Sequence, residues 1–177
     1  MPPANSCDCQ IHIYGDLKTY PPKWNISHEL PNATFADAQR MLKVLGFGRA
    51  VIVHASVYDT DYRLLYDTMT GLQEDRDSYR AVVVLKDDVT DKELLRLHEH
   101  GVRGVRFHIA SRYESDSKDA VRRTMARVRE MGWHARLHLD PPDFLEYADV
   151  FSESKDVPLI IDHMGRLDFS LGMEQPA

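Results

Sequence analysis

Six short apolar runs alternate with five amphipathic stretches along the chain, and this rhythm restricts the fold more than any single motif. The runs fall at residues 9–14, 50–55, 80–86, 102–109, 133–139 and 158–162. Short runs rich in Val, Ile and Leu suit strands buried on both faces of a parallel sheet. Pro158-Leu159-Ile160-Ile161 reads most plainly that way, closing on Asp162-His163 before Gly165 lets the backbone turn. Between the runs the apolar period lengthens to that of a helix. Phe35, Ala38, Met41, Leu42 and Leu45 form one such stripe, opened by Thr34 and Asp37 and closed by Gly46. Residues 61–72 predict a second helix, and Thr90 with Glu93 a capping box that opens a third, closed by Gly101. Val121, Met125 and Val128 line a fourth, closed by Gly132, and residues 144–151 make a short fifth. Strands that alternate with helices pair in parallel through right-handed crossovers.

Two α/β architectures meet that requirement. A doubly wound sheet carries a glycine-rich phosphate loop after its first strand. Here that position reads Ile13-Tyr14-Gly15-Asp16, without the glycines. A barrel instead brings the C-terminal end of every strand to one mouth. His12, His54, His108, His138 and His163 all fall at or just after strand ends, beside Arg106, Arg112, Asp140 and Asp162. The expected fold is therefore an α/β, TIM-type (β/α) barrel, with residues 1–177 forming one domain. It is expected to be incomplete, with about six of eight βα units present, since such barrels take roughly 250 residues.

Charge and composition narrow the function. With 28 acidic and 22 basic residues, the net charge of -6 argues against a nucleic-acid or membrane-surface partner. Cys7 and Cys9 fit neither a zinc ribbon nor a redox C-x-x-C motif, which points to a reducing compartment. No secretory signal and no bilayer-length apolar run is visible, so a cytoplasmic location is expected. No nucleophile elbow, P-loop or zincin helix occurs, which leaves nucleophilic serine or cysteine catalysis without support. The long loop at residues 15–32, with Tyr20-Pro21-Pro22 inside it, has the length of a functional lid.

A single strand-end histidine is usually structural, but five on one scaffold point to a functional cluster. A hydrolytic metal centre on such a barrel wants His-x-His on the first strand, and here the pair reads Gln10-Ile11-His12. No metal is therefore expected, the alternative being one zinc at His12, His138 and His163. Arg106 shares a strand face with His108, and a charge inside an apolar strand needs a partner. Arg106 could hold a substrate carboxylate in its planar fork. Arg112 reads equally as a second such ligand and as a solvated loop charge. Ser56, Tyr58 and Asp59 follow the second strand as hydrogen-bonding or plain turn residues. Alternation points Asp162 away from the face of His163.

Several stretches together resemble a known family: Asp8-Cys9-Gln10-Ile11-His12-Ile13-Tyr14-Gly15, Val51-Ile52-Val53-His54-Ala55-Ser56, residues 101–107, Gly132-Trp133-His134 and Ile161-Asp162-His163-Met164-Gly165-Arg166. They are similar, in order and over nearly the whole chain, to the amidohydrolase-related lactonases of the 2-pyrone-4,6-dicarboxylate lactonase kind. The resemblance implies a (β/α)₈ barrel that opens a carboxylated lactone by water attack, generally without a divalent metal, in aromatic or sugar-acid catabolism. It implies His12 and His163 as catalytic groups that polarise the lactone carbonyl, with Arg106, Arg112 and Ser56 binding substrate. Gln10 departs from the family's histidine. His54, His108 and His138 stand where the lactonase has glutamine, asparagine and tyrosine, and are assigned to substrate binding. The family's general base, an aspartate ending the eighth strand, would lie beyond Ala177. Three readings follow: a lactonase-like hydrolase acting on a small carboxylated lactone, a metal-dependent hydrolase, decarboxylase or sugar-lactone isomerase, and a non-catalytic or inactive truncated product. By itself the 177-residue chain is expected to be inactive and to self-associate through open barrel edges.

Overall fold

The computed structural model describes residues 1–23, 29–109 and 117–174. Arg112 and part of the long loop at 15–32 lie outside the described residues. Strands β1 (Cys7–Ile11), β2 (Arg49–Val53), β3 (Tyr79–Val83), β4 (Val102–His108), β5 (His134–His138) and β6 (Leu159–Ile161) match the six apolar runs. Helices α1 (Phe35–Leu45), α2 (Arg63–Gly71), α3 (Asp91–Glu99) and α4 (Lys118–Glu130) lie between them. Where a single short helix was expected, two occur, α5 (Pro141–Glu146) and α6 (Ala148–Glu153). Asp140 caps α5 through a reciprocal box with Asp143, so the helix starts at Pro141, ahead of the apolar stripe; Tyr147, at φ -97° and ψ 8°, then separates it from α6.

The chain forms two compact units. The first, residues 1–84 and 91–103, pairs β1 with β2 and β2 with β3, both parallel. Thr34 opens α1, accepting from the Asp37 amide while the Asp37 carboxylate accepts from the Thr34 amide at 2.9 Å. Gly46, at φ 82°, closes it in the left-handed region that glycine enters without strain. Ile52, Val53, Ala81, Val82, Val83, Leu65, Met69, Leu94 and Leu97 are buried and form the core. The Tyr66 hydroxyl donates to Glu93, and the Arg96 guanidinium sits 4.0 Å above the Tyr66 ring, tying α2 to α3.

The second unit, residues 85–90 and 104–177, pairs β4 with β5 and β5 with β6, again parallel. Gly104 lies opposite His134, Arg106 opposite Arg136 and His108 opposite His138. Side chains alternate along a strand, so these six positions share one face. Val105, Phe107, Ala135 and Leu137 take the other face and are buried, as are Val121, Met125 and Val128 of α4. A Cβ at Gly104 would come within 2.4 Å of the His134 ring, so only glycine leaves that ring its place. On the surface, Arg122 bridges Asp149 at 2.7 Å and Glu153 at 2.8 Å, clamping α4 to α6. No described helix is long and apolar enough to cross a membrane.

The sixth strand departs from expectation. Leu159, Ile160 and Ile161 are 39%, 39% and 44% exposed, not buried on both faces. A parallel strand is buried only with neighbours on both edges, and among the described residues β6 pairs with β5 alone. Its other edge has no strand beside it among the described residues and carries exposed apolar side chains, a template for strand addition. The protein is expected to form dimers or larger species on light scattering, and Ile160→Lys is expected to shift it toward monomer. A wild-type monomer at high concentration would show that this edge is inert.

Candidate functional site

The polar face of β4 and β5 places two arginines opposite each other inside the protein. Like charges directly across a strand pair repel, and a buried charge needs a counterion. Asp162 supplies it. Arg106 Nε donates to Asp162 Oδ2 at 2.7 Å, and Arg136 Nε lies 3.3 Å from Oδ1. Both arginine side chains are 6% exposed and that of Asp162 is 1% exposed.

The backbone after β6 makes this possible. His163, Met164, Gly165 and Arg166 all have positive φ, at 53°, 53°, 70° and 55°. Strand alternation therefore stops at Ile161, and the expectation that Asp162 and His163 part company is overturned. The ligand-capable atoms of His138, Asp162 and His163 lie within 4.8 Å of one another. A non-glycine residue in the left-handed region carries strain, and three in one turn hold this segment in a constrained backbone.

His138 is the hub of this cluster. Arg106 Nη2 lies 2.7 Å from its Nδ1, and its ring is 5.2 Å from each of the His108 and His163 rings. Arg166 Nη1 approaches His138 Nε2 at 3.4 Å, while Arg166 Nε is held by Asp140 at 2.6 Å. Burial, reinforced by the Arg106 charge, pushes the His138 imidazole down to about 4, so it is neutral at pH 7. His163 is exposed and Arg166 partly so.

The other sequence-derived candidates sit in the first unit. His12, just past the end of β1, has its Nδ1 2.8 Å from the Val53 carbonyl. His54 is 4% exposed, lies between the Tyr58 and Tyr62 rings, and donates from Nε2 to the Asp59 carbonyl at 3.1 Å. Burial pushes it to about 4. Asp59 has φ 49°, so His54 pins a strained turn. Ser56 opens that turn and is half-buried.

The structure thus unites Arg106, His108, His138 and His163, and adds Arg136, Asp162, Arg166 and Asp140. Arg136 was legible in the sequence by the reasoning applied to Arg106: it is a charge in an apolar strand, two residues before His138 on the same face. As a metal centre, His138, Asp162 and His163 would be the ligands. They fit a dication poorly, because the Asp162 carboxylate already carries two guanidinium charges.

This chemistry can be set beside known proteins. A family model described as amidohydrolase matches residues 7–177. The chain belongs to the amidohydrolase family. It is 30% identical to a 2-pyrone-4,6-dicarboxylate hydrolase from Comamonas testosteroni, over 97% of this chain and 55% of that protein. It is 27% identical to a 4-sulfomuconolactone hydrolase from Hydrogenophaga intermedia, over 99% of this chain and 57% of the relative. A candidate 2-pyrone-4,6-dicarboxylic acid hydrolase structure from Pseudomonas putida superposes with a TM-score of 0.77 at 28% identity, covering 96% of this chain and 61% of that one. The fold is accordingly α/β of the TIM-barrel type, with six strands among the described residues. The chain spans little more than half the length of the curated relatives it matches.

Removing the shared counterion should be costly. Asp162→Asn leaves two facing guanidiniums without an anion and is expected to destabilise the fold by about 3–5 kcal/mol in urea denaturation. A loss under about 1 kcal/mol would show that Asp162 does not hold the arginines together.

The histidines give a pH signature. An unfolded histidine binds its proton near 6.5, whereas folded His54 waits until about 4. Between those values the unfolded chain holds the extra proton, so stability is complete above pH 6.5 and falls as pH drops toward 4. For His54 the full effect is about 3 kcal/mol. His54→Gln should flatten this part of the stability profile relative to wild type, and parallel profiles would contradict the assignment.

Proposed function

We propose that this chain carries the substrate-gripping and carbonyl-polarising part of a hydrolase that opens a carboxylated lactone by water attack. The observation that carries the reading is the cluster at the ends of β4, β5 and β6: two neighbouring histidines, His138 and His163, with Arg166 beside them over a buried arginine pair. Hydrolysis of a lactone builds negative charge on the carbonyl oxygen, and preorganised donors stabilise it. A partly exposed guanidinium recognises a carboxylate through its planar fork. Arg166 is the arginine best placed for that, since Arg106 is buried against Asp162 and His138.

The family resemblance adds His12 as a second polarising histidine, and Arg112, Ser56, His54 and His108 as further substrate contacts. The names of the relatives, a pyrone-dicarboxylate hydrolase and a sulfomuconolactone hydrolase, support a lactone as the substrate class. We place the reaction in the cytoplasm and without a metal. Asp162 is unsuited to activate water, because its carboxylate is buried and both of its oxygens face arginines. A separate base is therefore needed for turnover. A zinc-dependent hydrolase is the second reading, favoured by the proximity of His138, Asp162 and His163. Near-stoichiometric zinc surviving dialysis would select it.

The test is calorimetric titration of the 177-residue protein with 2-pyrone-4,6-dicarboxylate, with ring opening followed by absorbance in the same samples. Saturable binding is expected, weakened by about 1.5–3 kcal/mol in Arg166→Met, the range for hydrogen bonds to charged groups. Absent binding, or binding indifferent to Arg166, would overturn the reading. Turnover is expected to stay at background, and rates equal to those of the Comamonas relative would show that this chain supplies the base itself.

A further inference from the structure

We propose that Arg106 is a positioning residue that fixes the tautomer of His138, so that His138 offers an Nε2–H donor to an anionic oxygen and no lone pair to a metal. The inference rests on the reading of this cluster as the oxyanion-stabilising part of a lactone-opening site.

A guanidinium settles the roles at the contact between Arg106 and His138. Arginine has only N–H groups and no acceptor. With Arg106 Nη2 at 2.7 Å, His138 Nδ1 must therefore be the acceptor and carry the lone pair. A neutral imidazole has one N–H, which then resides on Nε2. An imidazolium would set Nδ1–H against the arginine N–H, and its burial opposes charge as well. Arg106 cannot swing aside, because Asp162 holds its Nε at 2.7 Å and the side chain is buried.

This arrangement inverts the one that metal-bound histidines use. A ligating histidine donates its second N–H to a carboxylate, carbonyl or water, which keeps the lone pair directed at the metal. Here the second nitrogen faces a donor. His138 could ligate through Nε2 only by losing its remaining proton.

The same logic gives the 3.4 Å approach of Arg166 Nη1 to His138 Nε2 a meaning. Both atoms carry hydrogen, so the contact is two donors side by side and not a hydrogen bond. Asp140 keeps Arg166 there at 2.6 Å. Two fixed donors at that separation can converge on one oxygen, either of a carboxylate or of the tetrahedral intermediate.

The experiment is a long-range ¹H–¹⁵N correlation spectrum of histidine-labelled protein at pH 7, with His138 assigned by its loss in His138→Gln. The proposal expects the Nε2–H tautomer alone in wild type and in Arg106→Lys, which keeps a donor. It expects both tautomers in Arg106→Met. An Nδ1–H or doubly protonated His138 in wild type overturns it, and that spectrum decides even if the methionine variant does not fold. A second arm titrates zinc against a chelating dye. Wild type should bind no more tightly than His138→Gln, and Arg106→Met at least tenfold more tightly than wild type. Zinc binding by wild type that His138→Gln abolishes also overturns the proposal. Neither arm uses a lactone, so either can fail while the hydrolase reading stands.

Discussion

One carboxylate fixes where the charges lie in the second unit's interior. Strand register sets Arg106 against Arg136, and without Asp162 the pair would be two desolvated like charges. Several other polar groups of the cluster take their place from that triad. Arg106, immobilised by Asp162, fixes His138, and the turn that delivers Asp162 also delivers His163 and Arg166. A buried ion pair seldom adds much stability relative to an apolar core, because desolvation offsets attraction. Its retention here is better understood as placement of charge than as cohesion.

The two units use histidine differently. In the first, His12 and His54 lie against backbone carbonyls, Val53 and Asp59, so each is anchored by the main chain. In the second, His138 is anchored by a side chain of fixed polarity. Equal depression of His54 and His138, both to about 4, therefore conceals opposite arrangements: His54 gives its Nε2–H to a carbonyl, whereas His138 receives a hydrogen bond on Nδ1.

Much of the fold was legible in the residues. The apolar period separated strands from α1 to α4, and Gly46, Gly101 and Gly132 marked helix ends because their positive φ suits glycine. The strand-end histidines located the site. What escaped was set by geometry that the sequence does not display. Asp162 was assigned to the wrong face because alternation was extended past Ile161 into a left-handed turn. The spacing did not display that Arg106 pairs with Asp162, 56 positions further along the chain. Leu159 to Ile161 looked like a central strand because composition reports how apolar a strand is, not how many neighbours it has.

The pairing of β4 with β5 has a consequence for assembly of the sheet itself. Gly104 with His134, Arg106 with Arg136 and His108 with His138 form three polar steps, interleaved with Val105, Ala135, Phe107 and Leu137. Moving β5 by one residue would turn Arg136 and His138 onto the apolar side and bring the bulk of a side chain over the His134 ring's seat. An all-apolar strand pair could tolerate that slip, whereas this pair penalises it at every step. The charges that serve the site thus also act as a key that admits one alignment of the two strands.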